Sequence, residues 1–361
     1  MTNPFGRRYG NYRLVFSAGE RLHRNLSGNN RYSFDAYMME KIRWGIIGCG
    51  NVTEVKSGPA FQKARGSQLV AVMRRNAELA EDYARRHQVP TWYDNAESLI
   101  EDKNVDAVYI ATPPSSHKEY ALAVARAGKP VYVEKPMAIN YSDCQEMIQA
   151  CAKANVPLFT AFYRRALPRF LKIKSFIDEG QIGNIRGVNL RLWQPPSIED
   201  QHGAVQWRVD PSIAGGGYFV DLGSHMIDLL QYMLGPIRSV VGLSSNQGTF
   251  YAVEDTVSAT FAFESGVQGV GFWCFCAGEK ADVTEIIGSH GTITYSTFSD
   301  LPILLERNGT IEQFNIPHPD HIQQPLIQAV VDELLGVGKS PSTGTTGAMT
   351  SWVMDKVLGR L

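Results

Sequence analysis

After residue 41 the chain alternates short apolar runs with amphipathic stretches. The apolar runs predict strands at 42–47, 68–73, 91–93, 107–111, 131–134 and 157–162, and the helical periodicity predicts helices at 51–64, 76–87, 95–101, 116–127 and 142–153. Because the strands are apolar almost throughout, helices should cover both faces of their sheet. The pattern therefore predicts an N-terminal α/β domain over residues 40–162 with a doubly wound parallel sheet.

Beyond residue 163 the pattern becomes strand-rich. Around 256–263, apolar residues at every second position predict a strand with one buried face. Further strands are predicted at 185–194, 237–244, 267–275, 282–288, 291–296 and 302–306, and helices at 166–178, 217–234, 321–336 and 347–359. We expect a C-terminal α+β domain over 163–361 with a large, open, mixed and mostly antiparallel sheet, one face of which is available to a partner subunit.

Residues 1–39 differ from the rest in composition. Their arginines are Arg7, Arg8, Arg13, Arg21, Arg24 and Arg31, against only Glu20 and Asp35 as acids. With no clear periodicity and no apolar core of a secretory signal, this segment is predicted to be a disordered N-terminal extension without a catalytic role. An organelle-targeting segment, an upstream extension of the reading frame before Met38 and Met39, and an arm around a partner subunit remain open.

The overall charge excludes two classes of partner. Lys plus Arg (35) nearly balance Asp plus Glu (36), which gives no electrostatic case for nucleic acid or an anionic membrane. No run of about eighteen apolar residues exists to span a membrane. The five cysteines are too few and too scattered for a disulfide framework, and they form no metal-ligand set. We expect a cytoplasmic protein without a bound metal.

The first strand leads into the turn Gly48-Cys49-Gly50, and a helix is predicted to begin at Asn51 and Val52. A strand, a Gly-x-Gly turn and a helix N-terminus form a dinucleotide phosphate site, in which the glycines permit the turn and the approach of the pyrophosphate. Gly48, Gly50, Asn51 and Val52 are therefore predicted to bind the cofactor. Alone, the turn is equally compatible with no ligand.

The second strand is followed by Arg74 and Arg75, where an NAD-preferring site places an acid for the adenosine ribose. A guanidinium instead pairs with a 2′-phosphate and stacks on adenine. The sequence therefore favours NADP(H) as the cofactor. NAD remains possible, because two solvated arginines at a strand end would look the same.

Two further strand ends reach the same predicted crevice. Thr112 and Pro113 follow the fourth strand, next to the first strand in this topology, and should line the cofactor. His117, in the next helix, is a candidate cofactor contact that could equally cap or pack. Glu134 and Lys135 end the fifth strand, where Glu134 could accept from the nicotinamide ribose and Lys135 could donate to a substrate oxygen. A structural ion pair is the alternative.

A second informative stretch follows the triple glycine 215–217. Asp221, His225 and Asp228 lie at helical spacing, within about 60° of one another on an otherwise apolar helix. Histidine suits proton transfer near neutral pH, and an acid one turn away can orient its ring. We expect Asp221 to hold His225 for this role, with the glycines allowing backbone or ligand to approach.

These motifs together resemble the glucose-fructose oxidoreductase, inositol dehydrogenase and MocA family (Gfo/Idh/MocA). The resemblance covers residues 41–361, and its most specific parts are Glu134-Lys135-Pro136 and the glycine-rich segment that leads to Asp221 and His225. Two positions depart from the family pattern: Thr53 replaces the third glycine of the fingerprint, and Pro114 stands where the family often has Asn.

The resemblance implies roles that the residues alone do not. Lys135, Asp221 and His225 match the family's catalytic set, and Tyr163, Arg164, Trp207 and Arg208 match positions that often line its substrate pocket. It further implies a cis Lys135-Pro136 bond that aims Lys135 into the cleft. The resemblance also implies that the N-terminal domain is a Rossmann domain and that the C-terminal sheet forms a homodimer or homotetramer.

The resemblance makes the expected reaction a reversible hydride transfer between nicotinamide and a small-molecule sugar, sugar derivative or cyclic polyol. Two alternatives stay open at the level of sequence. One is a glycoside hydrolase of the same family that uses tightly held NAD in a transient redox step. The other is a non-catalytic dinucleotide-sensing regulator, which would not need the intact Lys-Asp-His set found in this chain.

Overall fold

The computed structural model describes residues 41–203 and 206–361, so the predictions for residues 1–39 lie outside the described residues. Two β-sheets form the architecture, one of six strands and one of eight. This is the predicted combination of a parallel Rossmann sheet with a larger, mostly antiparallel sheet. The fold class is thereby confirmed, whereas the domain boundary at residue 162 stays a prediction.

The first sheet is entirely parallel. Its strands are β1 (Ile42–Ile47), β2 (Ser67–Met73), β3 (Thr91–Tyr93), β4 (Ala107–Ile110), β5 (Val131–Val133) and β6 (Leu158–Thr160). They are arranged in the order β3-β2-β1-β4-β5-β6. The order reverses between β1 and β4, and ligands of such sheets bind at the carboxyl ends of the strands at this point. The glycine turn after β1 and Thr112 after β4 lie at that point.

Six helices accompany the first sheet. They are α1 (Asn51–Val55), α2 (Gly58–Lys63), α3 (Ala77–His87), α4 (Ala96–Glu101), α5 (His117–Arg126) and α6 (Tyr141–Lys153). The prediction of one helix over 51–64 is wrong, because the helix is interrupted between α1 and α2. Pro59 stands in the first turn of α2 and has no N–H with which to continue the helix from α1.

The second sheet contains every strand after the first domain. Its strands are β7 (Ile185–Trp193), β8 (Ile237–Ser245), β9 (Thr256–Phe263), β10 (Gln268–Cys274), β11 (Ala281–Gly288), β12 (Gly291–Tyr295), β13 (Ile303–Arg307) and β14 (Thr310–Phe314). They are arranged in the order β14-β13-β12-β11-β7-β10-β9-β8. Among the described strands of this second sheet, only β7 and β10 pair in parallel, which makes the sheet mixed but mostly antiparallel.

Strand β14 was not predicted from the sequence. It pairs with β13 through a two-residue turn in which Asn308 and Gly309 both have positive φ, at 52° and 72°. An Asn-Gly pair is the typical turn of a tight hairpin, since both residues tolerate this conformation. The signal was therefore present, but the strand beyond it is short and exposed and lacks apolar alternation.

Helices cover one face of the second sheet and connect it to the first. The remaining helices are α7 (Pro168–Asp178), α8 (Ile198–Gln201), α9 (Pro211–Ala214), α10 (Ser224–Leu234), α11 (Gln324–Leu334) and α12 (Gly344–Val357). Helix α11 contacts α2, and one hydrophobic cluster includes Trp44 and Phe61 as well as Ile293 and Val330. The two sheets thus share a continuous apolar core.

The other face of the second sheet exposes apolar side chains. Val241 and Leu243 on β8 are 71% and 76% exposed, and Val270 and Ile287 are about half exposed. The strand registers place all four on the same side of the sheet. An apolar face of this extent is typical of a surface that binds another protein.

Candidate active site

The glycine turn has the shape that a pyrophosphate requires. The amides of Gly48 and Cys49 donate to Met73 O at 2.8 and 3.1 Å, which holds the turn against β2. Gly48 has φ of +92°, and a Cβ there would lie 2.6 Å from Thr112 Cγ2. At Gly50 an added Cβ would meet only Gly48 O, at 3.9 Å, so the space above this residue is open. The turn fits a dinucleotide whose phosphates approach the backbone at Gly50.

Thr53, the departure at the third glycine position, is explained by its contacts. Its side chain is fully buried, and its hydroxyl donates to Gly50 O at 2.8 Å. Its own carbonyl accepts from Tyr83 Oη at 2.8 Å. The close packing that a third glycine would allow occurs at Gly58 instead of residue 53. A Cβ on Gly58 would lie 2.2 Å from both Thr53 O and the Tyr83 hydroxyl. Thr53 therefore fastens the turn to α1 and α3.

Arg74 and Arg75 lie beside this turn with no acid bound to either. Neither guanidinium forms an ion pair within the described part of the chain. Glu54, an acid of α1, is held instead by Arg86 at 2.8 Å. Burial raises the pKa of the Cys49 thiol to about 11, and the nearby charge of Arg74 partly offsets this effect. Arg74 therefore lies near the turn. The two arginines remain available to a bound anion.

Asn51, Val52, Thr112 and Pro113 lie around the turn as the sequence predicted, and they are exposed or half-buried. His117 is different, because it is fully buried. Its Nε2 lies 2.7 Å from Thr112 O and its Nδ1 lies 3.1 Å from Pro136 O. Both ring nitrogens thus face backbone carbonyls. The prediction that His117 contacts the cofactor is corrected: it joins the end of β4 to the segment after β5.

Glu134 is buried at the end of β5 and its carboxylate is held from two sides. Oε1 accepts from Tyr109 Oη at 2.5 Å and from Gln323 Nε2 at 2.7 Å, while Oε2 accepts from the Lys135 amide at 3.0 Å. Burial, followed by the charge of Glu134, raises the pKa of Tyr109 well above its ordinary value, so the phenol stays a donor. The carboxylate is fixed in place and retains acceptor capacity on Oε2.

Lys135 projects toward the second half of the chain and pairs with Asp221. The Lys135-Pro136 bond is cis, as the resemblance implied. The Lys135 ammonium donates to Asp221 Oδ1 and to Asp221 O, the latter at 3.1 Å. Burial alone would raise the pKa of Asp221, but the charge and hydrogen bond of Lys135 outweigh it and the pKa is lowered. Asp221 is therefore charged at neutral pH.

Asp221 lies in a single π-helical turn, Phe219–Gly223, that precedes α10. The single helix predicted over 217–234 is thus wrong in its first turns. Because a π turn is wider than an α turn, it changes the angular spacing on which the predicted acid-imidazole-acid stripe depended. The preceding glycines serve backbone packing: a Cβ on Gly215 would lie 2.5 Å from Ile139 O, and one on Gly217 would lie 2.5 Å from Glu254 O.

His225 is buried in an aromatic cage. The rings of Phe162, Tyr163 and Phe298 face it edge-on, with centroid distances of 6.0, 5.4 and 6.0 Å. Its Nδ1 has no hydrogen-bond partner among the described residues, so the bond predicted from Asp221 to the ring is absent. Aromatic packing, and not an acid, orients the imidazole.

Burial holds the pKa of His225 well below its ordinary value, and three nearby positive charges lower it further. These charges belong to Arg164, Lys135 and Lys56. The imidazole is consequently neutral near pH 7. Since Lys135 acts on it electrostatically, the two predicted catalytic groups lie in one site.

Asp228 is directed away from His225 and bound to Arg165. Arg165 Nε lies 2.8 Å from Asp228 Oδ2, and Nη2 lies 2.8 Å from Oδ1, a two-pronged ion pair in which both residues are buried. Thr350 also donates to Asp228 Oδ1 at 3.2 Å. The prediction that Asp228 forms part of a functional stripe with His225 is therefore corrected. Its role is to compensate a buried arginine.

The four predicted substrate residues lie next to the same groups. Tyr163 Oη accepts from Arg164 Nη1 at 2.6 Å, and the Arg164 guanidinium stacks on the Tyr163 ring at 4.8 Å. Arg208 lies over the exposed Trp207 ring at 4.4 Å, and its Nε is 3.4 Å from Asp221 Oδ2. The structure thus brings Tyr163 and Arg164 to His225, and Arg208 to Asp221.

Comparison with known proteins agrees with this geometry. Residues 42–162 match the GFO/IDH/MocA family described as "Oxidoreductase family, NAD-binding Rossmann fold". Residues 170–294 match the GFO/IDH/MocA C-terminal domain. Oxidoreductase P35 of Formosa agariphila is 42% identical over 89% of this chain and 100% of its own length. The chain belongs to the Gfo/Idh/MocA family.

Two further comparisons describe the relatives of this Gfo/Idh/MocA protein. The 1,5-anhydro-D-fructose reductase of Ensifer adhaerens is 30% identical over 84% of this chain and 92% of its own length. A levoglucosan dehydrogenase solved in complex with NADH and levoglucosan has a TM-score of 0.78 and 23% identity, covering 89% of this chain and 97% of that one. The family resemblance is confirmed, and the protein is an NAD(P)-dependent oxidoreductase.

Three residues of the site in this Gfo/Idh/MocA chain were not predicted from its sequence. Lys56, beside the glycine turn, acts electrostatically on His225, and Arg165 compensates Asp228. A lone acid on an apolar helix face requires a cation, so the need for a partner such as Arg165 could have been inferred. Nothing in the sequence pattern indicates that Gln323 reaches Glu134.

No group of three or more His, Cys, Asp or Glu side chains suited to a metal ion occurs in residues 41–203 and 206–361. Across the same residues, every helix is too short or too polar to cross a membrane. The five cysteines are free thiols.

Proposed function

We propose that this protein is an NADP(H)-preferring oxidoreductase that transfers a hydride to or from a carbon bearing a hydroxyl or carbonyl group. The observation that carries the proposal is the meeting of Lys135, Asp221 and His225 in one site beside the nucleotide crevice. The substrate would be a sugar, a sugar derivative or a cyclic polyol. Support for this class comes from relatives named 1,5-anhydro-D-fructose reductase and trans-1,2-dihydrobenzene-1,2-diol dehydrogenase.

A bound nicotinamide would supply or accept the hydride at its C4. Lys135 binds the reacting oxygen and stabilises the negative charge that develops on it. Asp221, charged at neutral pH, holds the ammonium in position through its carboxylate and its backbone carbonyl. This role differs from the one expected from sequence, in which Asp221 oriented His225.

His225 moves the proton in this proposal. In the direction of alcohol oxidation, the neutral imidazole takes the proton of the substrate hydroxyl, and in the direction of reduction it returns one. The depressed pKa of His225 keeps the base free of a proton before substrate binds. The aromatic cage around it excludes water and fixes the plane of the ring.

The preference for NADP(H) rests on Arg74 and Arg75. Both lie at the end of β2 beside the glycine turn, and neither has an acidic partner in the described part of the chain. A 2′-phosphate would supply that partner through charge-assisted hydrogen bonds. The open space above Gly50 suits the pyrophosphate of either cofactor.

The proposal is tested with the variants Lys135→Ala and His225→Ala on a panel of sugars and polyols. Turnover, followed by the near-ultraviolet absorbance of reduced nicotinamide, should fall by about 100-fold or more in each variant, while the Kd for NADPH stays within about twofold. Wild-type turnover in either variant would contradict the assignment. Product formation without net change in free nicotinamide would indicate the redox-assisted hydrolase, and NADPH binding without any turnover would indicate the sensor.

We further propose that the exposed apolar face of the second sheet joins two copies of the chain. The support is the row of exposed side chains at Val241, Leu243, Val270 and Ile287. Replacing both Val241 and Leu243 with Lys should convert the oligomer to monomer in light scattering, because charges on the interface must be desolvated. A wild-type monomer at micromolar concentration would rule this surface out.

A further inference from the structure

Arg164 is a buried guanidinium to which the described part of the chain offers no carboxylate. The residue is 5% exposed. Its Nε donates to Thr297 O at 3.1 Å and its Nη1 to Tyr163 Oη at 2.6 Å. Nη2 donates to no group within residues 41–203 and 206–361. The positive charge therefore meets only neutral acceptors.

Two other buried arginines of the same segment each lie close to a carboxylate. Arg165, 4% exposed, is matched by the two-pronged bond to Asp228. Arg169, 1% exposed, donates to the carbonyls of Ser296, Ser299 and Leu301 and lies 3.7 Å from Asp300. A buried charge without a counter-ion costs several kcal/mol, so a protein keeps one where a ligand supplies the opposite charge.

Asp282, the acid bound to the loop whose Thr297 carbonyl accepts from Arg164, is engaged elsewhere. Asp282 accepts from the amide of Thr297 at 3.0 Å, from the amide of Phe298 at 2.7 Å and from the Ser296 hydroxyl. It forms no ion pair with Arg164. Asp221, the acid of the active site, is already bound by Lys135 and Arg208. Neither Asp282 nor Asp221 is therefore placed to neutralise Arg164.

Arg164 lies beside the proton-transfer group. Its Cζ is 4.8 Å from the Tyr163 ring and 4.6 Å from the Phe298 ring, and the same two rings face the His225 imidazole. Its charge is one of those that act on His225. An anion bound at Arg164 would thus sit within one side-chain length of His225.

Two donors at this place can converge on one anion. The Tyr163 hydroxyl accepts from Arg164 Nη1 and keeps its own proton, and Arg164 Nη2 keeps both of its protons. A planar carboxylate accepts two such bonds from one side. Lys135 is paired with Asp221, but the positive charges of Lys56 and Arg164 near His225 favour an anionic ligand in the same way.

We propose that the substrate carries a carboxylate that binds Arg164 and Tyr163, so that the enzyme acts on sugar acids and not on neutral sugars. The proposal rests on the function proposed above and names its substrate class. In the oxidation, the carbinol carbon gives its hydride to the oxidised nicotinamide and the hydroxyl gives its proton to His225. The carboxylate is unchanged and serves to position the reacting carbon.

The test compares hexuronates and hexonates with the matched neutral sugars, the uronate methyl esters and the sugar 6-phosphates, each with NADP⁺ and with NADPH as the reaction requires. One charge-assisted bond predicts a kcat/KM about 10- to 100-fold higher for the acid than for its ester. In Arg164→Gln this advantage should vanish, mainly through a higher KM for the acid. Arg126→Gln, which removes an exposed charge on α5, is the control and should change neither.

Thermal unfolding separates recognition from a structural role. Removing an uncompensated buried charge should leave the Tm of Arg164→Gln equal to or above that of wild type. A lower Tm with equal losses on acidic and neutral substrates would make Arg164 structural and overturn the proposal. Preference for neutral sugars or for sugar phosphates would overturn it too, while leaving the oxidoreductase function intact.

A failure of the function itself would look different, since no compound would be turned over. In that case D-gluconate, titrated calorimetrically into the NADPH-loaded protein, still tests the site. Binding to wild type that is weakened about 10-fold or more in Arg164→Gln supports carboxylate recognition. No heat with wild type overturns it.

Discussion

The side-chain amide of Gln323 donates a 2.7 Å hydrogen bond to Glu134 Oε1, although the two residues are 189 positions apart in the chain. The Gln323 backbone amide also donates to Lys56 O at 3.3 Å. One residue before α11 thus ties the end of β5 to the helix that follows the glycine turn. The position of Glu134 at the crevice depends on this connection.

Replacing Gln323 with Glu should therefore weaken cofactor binding as well as stability. Two carboxyl groups would meet at 2.7 Å, and one must take up a proton or move away. We expect a loss of about 1–3 kcal/mol in the free energy of unfolding and a higher Kd for NADPH, measured by denaturant titration and fluorescence. Gln328→Ala is the control, because Gln328 bonds to the Arg65 backbone from the same helix and does not reach Glu134. An unchanged Kd in Gln323→Glu would contradict the connection.

The buried pair of Arg165 and Asp228 should be costly to break from either side. Arg165→Met or Asp228→Leu leaves one charge buried without a partner, for an expected loss of about 3–5 kcal/mol in the free energy of unfolding. The double variant removes both charges and should recover most of that loss. Chemical denaturation of the four proteins forms a double-mutant cycle, and simple additivity of the single losses would show that the pair does not interact.

Much of the fold could be predicted because its signals are local. The apolar runs of the first domain and the glycine turn depend on neighbouring residues, and the family motif placed Lys135 and His225 together. The split between α1 and α2 was also local: Pro59 marks it, but a continuous apolar periodicity obscured it. Thr53 had no explanation in sequence because its partner Tyr83 lies on another helix.

The partners of the charged residues could not be predicted. Asp221 and His225 are four positions apart, which suggests a direct bond on a regular α-helix. The π turn and the ammonium of Lys135, 86 positions away, direct Asp221 elsewhere. Spacing along one helix gives no information on the cations that other elements bring to it.

The pH dependence of stability should carry the signature of His225. Its pKa in the folded protein lies well below the ordinary value of 6.5. Below about pH 6.5 the unfolded chain therefore binds a proton at His225 that the folded protein does not bind. The contribution of the neutral His225 ring to the free energy of unfolding is fully present above this pH and is lost as the pH falls. Relative to His225→Gln, wild type should lose up to about 1.4 kcal/mol per pH unit below that point. Parallel stability curves for the two proteins would show that His225 titrates normally when folded.

Arg74 should determine the choice between NADP(H) and NAD(H). In Arg74→Asp the carboxylate would repel the 2′-phosphate and accept from the ribose hydroxyls of NAD(H), so the preference should reverse. Loss of one charge-assisted contact and gain of a repulsion predict a fall of about 100-fold or more in the ratio of kcat/KM for NADPH to that for NADH. Arg126→Asp, which makes the same change of two charge units at an exposed position on α5, is the control and should keep the ratio. If wild type already uses NADH better than NADPH, the free guanidinium at the end of β2 does not recognise a phosphate.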